Sequence, residues 1–325
     1  MKTFLLKLTA AVVGASLIAP LASAQNAPYP SRPITLVVGF TPGGISDVLA
    51  RALAARLTTQ MGQTVIVDNR PGAATTVAST FVAHAPADGY TLYFQDMTSH
   101  AISAAAYKKL NFQPWNDFTM ISLVATTPLM LVSSIASSAT DVKTLVAKAK
   151  AAPQPLPYAS SGNGAITHLA AESFKQLAGI DALHVPYKGG APSTQALIGG
   201  EVAFSFSSMP PAVAQMKAGR LHGLAVTSAK RVSTAPGVPT LREAGIPMDL
   251  LLYSGILGPK GLPAPVVERI GAEVKKAVAS PEMKKVLLDA GADALTSTPA
   301  EFASRMQSEA ASMAKAVQSA GVVLD

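Results

Sequence analysis

Histidine, serine and the carboxylates are the side chains of this sequence able to run hydrolytic or metal chemistry, and their spacing assembles neither. The five histidines stand at 84, 100, 168, 184 and 222 with no H-x-x-x-H pair. No cysteine is present to complete a metal site. Ser161 lies shortly before His168, on a loop and on the helix that follows, but no acid is placed to orient the imidazole. The pentapeptide G-x-S-x-G does not occur, and nothing singles out a carboxylate pair for glycoside hydrolysis. Glycines and small hydroxyl residues recur instead, each time just after an apolar run. Residues 39–47 read GFTPGGISD. Gly72-Ala73-Ala74-Thr75-Thr76, Ser161-Gly162-Asn163-Gly164, Lys188-Gly189-Gly190 and Ser207-Ser208-Met209-Pro210 have the same character. The chemistry such loops offer is anion binding. Unpaired N–H groups at a helix start, aided by the helix dipole, hold negative charge. Glycine lets the ligand approach the backbone, because no Cβ intrudes.

Elements must position these loops, and the hydrophobic pattern supplies them. Residues 34–40 form a β-branched run. Residues 47–60 are helical, since Val48, Leu49, Ala52, Leu53 and Leu57 recur at steps of one, three and four. Strands over 64–67 and 91–94 enclose a helix over 75–84. The pattern repeats with strands at 121–125, 129–132, 156–159, 183–185, 202–206 and 221–227. Helices at 140–150, 167–177, 193–198 and 211–217 alternate with them. A proline-rich stretch then leads to a short helix at 240–244, a strand at 253–257 and helices at 264–279, 281–290 and 299–320. Alternating strands and helices imply crossover units and mostly parallel sheets, with every strand-to-helix loop at the carboxyl edge, where ligands bind. The expected fold is α/β and periplasmic binding protein-like, with two α/β domains joined by a two-strand hinge over a cleft. Domain 1 is expected from 29–125 with 229–325, and domain 2 from 126–228.

The ends and the charge narrow the compartment and the partners. Lys2 and Lys7 precede an apolar stretch, and Ala22-Ser23-Ala24 has the small-x-small form that signal peptidase cuts. Residues 1–24 therefore read as a signal peptide, cleaved near Ala24-Gln25, and the mature chain as periplasmic. The remaining 24 basic and 19 acidic side chains leave a modest, dispersed excess of +5. No run of Lys/Arg interleaved with aromatics suggests nucleic acid. A nucleotide is disfavoured too: the loop at Thr41–Gly44 lacks G-x-G-x-x-G, and no P-loop pattern occurs.

Further segments carry a family likeness over nearly the whole mature chain. They are Tyr29-Pro30-Ser31-Arg32-Pro33-Ile34, Phe40-Thr41-Pro42-Gly43-Gly44 with Asp47 and Ala50-Arg51, Asn69-Arg70-Pro71-Gly72-Ala73, and Asp88-Gly89-Tyr90-Thr91-Leu92. In the second unit they are Tyr158-Ala159-Ser160 with Gly162-Asn163-Gly164, His168-Leu169-Ala170, and His184-Val185-Pro186-Tyr187-Lys188-Gly189. Residues 225–231 and Val238-Pro239-Thr240 with Glu243-Ala244-Gly245 complete the set. Together they resemble the Bug-type substrate-binding receptors of tripartite tricarboxylate transporters.

The resemblance implies a monomeric, non-enzymatic receptor without cofactor or metal. Such a receptor closes on a small organic carboxylate and delivers it to one large and one small integral-membrane permease subunit. A ligand sensor feeding two-component signalling, or a secreted α/β hydrolase, are the alternatives. Carried onto this chain, the family's ligand loops are Phe40, Thr41, Pro42, Gly43 and Gly44, then Ala74, Thr75 and Thr76, and in the other unit Ser161, Gly162, Asn163, Gly164 and Ala165, with His168 in support. Where such receptors commonly have an aspartate, this chain has Ser207, with Ser208 beside it. That exchange removes a charge and adds donors. The expected ligand is a dicarboxylate with an apolar middle, an aromatic one such as a phthalate isomer included.

Overall fold

The computed structural model describes residues 29–324. The expected signal peptide and its cleavage site lie outside the described residues. Strands β1 (Ile34–Val38), β2 (Val65–Asn69) and β3 (Thr91–Asp96) alternate with helices α1 (Ile45–Met61), α2 (Thr76–Ala83) and α3 (Met97–Ala106). A long strand β4 (Phe118–Ser134) follows. The next series is α4 (Val142–Ala151), β5 (Leu156–Ser160), α5 (Ile166–Ala178), β6 (Ala182–Pro186), α6 (Gly190–Ile198), β7 (Phe204–Ser208), α7 (Met209–Lys217) and β8 (Leu221–Val226). The chain ends with β9 (Leu251–Pro259), α8 (Ala264–Val278), α9 (Pro281–Asp289), the two-residue β10 (Asp293–Ala294) and α10 (Pro299–Ala320).

The fold is the expected α/β arrangement, and its parallel strands flank an antiparallel centre. β1 pairs in parallel with β2 and β3, and β5 pairs in parallel with β6 and β7. Between these groups runs β4. Its first part, Phe118 to Pro128, pairs antiparallel with β9, which in turn pairs with β3. Its last part, from Leu129 or Met130 onward, pairs antiparallel with β7 and β8. One strand therefore serves both groups. From the sequence, 121–125 and 129–132 read as two strands. Thr126, Thr127 and Pro128 interrupt the apolar run but not the ladder, because β9 pairs with all three.

Two other differences have physical causes. Helix α3 escaped the hydrophobic pattern because its sequence, MTSHAISAAA, is buried on most sides and carries no single apolar stripe. Residues 229–250, assigned above with the first unit, divide: Ala235 and Val238 join the cluster that holds Met130, Val132, Met209 and Val226, and Leu241, Ile246 and Met248 join the larger cluster that spans both units. Val226 also bridges in parallel to Thr240. A short proline-rich segment carries no local signal of which unit will bury its few apolar residues, so its host was not legible. Thr227 ties the crossing together. Its Oγ1 accepts from the Leu129 N–H at 2.8 Å and donates to the Leu250 carbonyl at 2.6 Å.

Candidate functional site

Helix α1 starts where GFTPGGISD places it. Gly44 is the residue before the first turn, and Asp47 is the third residue inside it. Asp47 does not cap the helix from the N-cap position, which Gly44 occupies. It reaches back instead, accepting from the Gly43 N–H at 3.0 Å, from Arg51 Nε at 3.0 Å and from Asn69 Nδ2 at 3.0 Å. Burial works to raise its carboxyl, but the bonds from Arg51, Gly43 and Asn69 outweigh it and hold the group below its ordinary value. Asn69 Nδ2 also donates to the Phe40 carbonyl at 3.0 Å. Asp47, Arg51 and Asn69 thus form the brace that shapes the loop at 40–44.

The next loop is strained. Ala73, Ala74 and Thr75 have φ of 43°, 48° and 75°, three successive residues in the left-handed region. Each costs roughly 1–2 kcal/mol for an L-residue with a Cβ. The surroundings hold them there. Ser103 Oγ on α3 donates to the Ala74 carbonyl at 2.8 Å, and Gln95 Nε2 donates to Thr75 Oγ1 at 3.0 Å. Gln95 Nε2 also lies 3.2 Å from Nδ1 of His100, whose Nε2 meets the Pro114 carbonyl at 2.8 Å. Burial lowers His100 to about 4, so the ring is neutral.

In the second unit the loop after β5 is tied by its own residues. Thr167 Oγ1 accepts from the Ser161 N–H at 2.8 Å, and the Ser161 carbonyl accepts from Gly189 at 3.1 Å. His168 Nδ1 accepts from the Gly164 N–H at 3.2 Å, and its ring stacks on His184 at 3.8 Å. Burial lowers both histidines, His184 to about 3. Ser161 and His168 are not joined as nucleophile and base. The Ser161 hydroxyl pairs with Thr167, and His168 is committed to the glycine loop. Among the described residues no three His, Asp or Glu side chains group as a metal site.

These loops meet across one cleft. Its inner part is tight, with a cavity volume of about 50 Å³, small beside the roughly 300–1,000 Å³ of small-molecule sites. Five helix starts border it: Gly44 to Ser46 of α1, Asp96 ahead of α3, Ile166 and Thr167 of α5, Gly190, Ser193 and Thr194 of α6, and Ser207 and Ser208 ahead of α7. Phe40, Leu129, Phe206 and Leu252 give it apolar walls, and Asp96 is the charged side chain among its lining residues. An outer part continues past Phe40, Thr41 and Ser161 to Ala74 and Thr75 on one side, and to Gly162, Asn163 and Lys188 on the other.

The two banks touch. A Cβ on Gly189 would collide with Thr41 Oγ1, and one on Gly164 would meet Leu324 and approach Ala74. Of the residues expected at the site, Pro42, Gly43, Thr76, Gly164, Ala165 and His168 do not line either part, whereas the others do. Asp96 and the α6 residues Ser193 and Thr194 line it without having been expected. A strand followed by Asp, Thr and Ser is a capping signal that could have exposed the start of α3.

Helix starts facing each other across a cleft between two α/β units define a solute-binding receptor of the periplasmic binding protein type. The family model for the tripartite tricarboxylate transporter family receptor (TctC) matches residues 49–322, and the chain belongs to that family. Receptors of this family are periplasmic. Among curated relatives, the "UPF0065 protein in tcbD-tcbE intergenic region" of Pseudomonas sp. (strain P51) is 37% identical over 283 residues. The match covers 86% of this chain and 84% of that protein. Protein BugT of Bordetella pertussis is 32% identical, over 83% of this chain and 84% of its own length. Among solved structures, R. palustris Rpa4515 with adipate superposes with a TM-score of 0.88 at 33% identity, covering 91% of this chain and 99% of its own. MatC from Rhodopseudomonas palustris with bound malate gives 0.83 at 29% identity, covering 89% and 100%.

Proposed function

We propose that this receptor captures a small organic dicarboxylate and hands it to a tripartite tricarboxylate-type permease of one large and one small membrane subunit. The observation that carries the reading is the convergence of helix starts from both units on one cleft whose walls are otherwise largely apolar. Helix starts hold carboxylates without any cationic side chain. Apolar walls suit a hydrocarbon middle, aliphatic or aromatic. Relatives that bind adipate and malate support the same class. The site in this reading comprises the loops at Phe40–Gly44, 74–76 and 161–165 with Ser207 and Ser208. Export through residues 1–24 places the chain in the periplasm. The two units act as lobes that close by bending where β4 changes partners and at the Thr227–Leu250 tie. The chain binds without turnover.

A thermal-shift and calorimetric panel of adipate, malate, terephthalate and amino acids tests this. Dicarboxylates raise Tm in proportion to ln(1 + [L]/Kd) and are recovered unchanged. Stabilisation by amino acids alone, or conversion of a probe to product, overturns it. Loss of uptake of the bound dicarboxylate on deleting either permease subunit tests the partner assignment.

A further inference from the structure

Asp96 is a carboxylate in a cleft built for anions. It closes β3, is 1% exposed and lines the inner cleft. Its partners are neutral donors. Oδ1 accepts the N–H groups of Thr98 at 3.1 Å and Ser99 at 3.0 Å, and Oδ2 accepts Ser99 Oγ at 2.9 Å. A carboxylate offers about four lone-pair positions, so these three bonds leave one on Oδ2.

Among the described residues no neighbouring element is seen to supply a pairing cation. On β3, Tyr93 is a neutral phenol pushed up by burial, and Gln95 is uncharged. On α3, His100 is neutral and turned to the Pro114 carbonyl. From β9 come Leu252, which shares the cleft, and Ser254, which pairs with Asp96 in the ladder. From α5 the Ile166 N–H reaches Ser99 Oγ at 3.3 Å. From α1, Ser46 shares the cleft, while Asp47 is held by Arg51. From α10, Glu309 adds a second carboxyl, itself raised by burial and by Asp96, with Arg305 acting on it. Burial pushes the Asp96 carboxyl up to about 6 even without an anion in the cleft, and a like charge close by raises it further.

Building on the dicarboxylate reading above, we propose that Asp96 takes up one proton from solvent as the ligand enters. The neutral acid then donates a hydrogen bond from Oδ2 to one of the two ligand carboxylates. Asp96 thereby sets specificity. It accepts a second carboxylate only with a proton, whereas a ligand bearing an ammonium group pairs with the ionised form and takes up none.

Calorimetry with adipate and terephthalate as probes tests this on the intact protein. Titrations run at pH 7.5 in phosphate and in Tris, and then from pH 5.5 to 8.5. The expected result is uptake of about one proton per probe, with affinity falling about tenfold per pH unit above pH 7. Asp96→Asn keeps a capping side chain and is expected to bind with no proton uptake and a flat pH profile. The wild-type proton count stands as a test even if that variant folds poorly. Binding with no proton uptake, or the same uptake in wild type and Asp96→Asn, overturns the inference and leaves the dicarboxylate reading in place. Failure of both probes to bind at any pH overturns the dicarboxylate reading and this inference with it.

Discussion

At His168 the imidazole Nδ1 accepts the Gly164 N–H, a role only the neutral ring can fill. Burial is the main cause that depresses this histidine, with Lys175 adding to it and Glu172 opposing it. A depressed histidine contributes stability that is present above its ordinary value near 6.5 and is lost as pH falls. The loop at 162–165 should therefore loosen in acid before the sheets do. His168→Ala should cost about 1–2 kcal/mol of stability by leaving the Gly164 N–H unpaired. Dicarboxylate affinity should fall several-fold, and His168→Asn should recover part of it. Parallel denaturant melts and calorimetry check both effects. Unchanged affinity in His168→Ala would mean that the stack on His184 is structural alone.

At the scale of elements, the turn at 73–75 stores strain that α3 and β3 hold in place. Strain of this kind concentrates at functional sites. Ala74→Gly removes the Cβ penalty of the left-handed conformation, roughly 1–2 kcal/mol. It also adds unfolded-state freedom worth about 0.4–1 kcal/mol. The net expectation is a variant about 0.5–1 kcal/mol more stable, with weaker binding of the dicarboxylate probes because the loop is less fixed. Urea melts and the calorimetric panel separate the two effects. A loss of stability would show that the Ala74 methyl makes contacts worth more than the strain.

For the whole molecule, one close approach between the banks lies at Gly189 and Thr41. Gly189 has φ of 117° and no room for a Cβ beside Thr41 Oγ1. Helix α10 packs along α3, and Gln176 of α5 donates to the Ser319 carbonyl, so the C-terminal helix also spans both units. Gly189→Val should keep the lobes apart without unfolding either. Small-angle scattering should show no compaction when the wild type's preferred dicarboxylate is added, and affinity should drop at least tenfold. Thr41→Ala in the same background should restore part of the closure by removing the hydroxyl. Compaction in Gly189→Val equal to that of the wild type would refute a closure that depends on this contact.

The α/β class and the placement of the glycine loops at strand ends were legible in the sequence, because hydrophobic period and glycine position are local properties. The pattern at 47–60 specified α1, and Pro42-Gly43-Gly44 located its start, since no other element has to be known for either. The family likeness was legible in the same way, as short runs of fixed spacing. Long-range pairing was not. That β4 continues through Thr126–Pro128 depends on β9, which lies more than a hundred residues later. That Ala235 and Val238 pack with Met130, Val132 and Val226 depends on a cluster assembled from both sides of the crossing. No sequence reading marked Asp96. Only tertiary packing turned it into a buried carboxylate facing an anion's helix starts, because burial and neighbours, not residue type, decide whether a carboxyl keeps its proton.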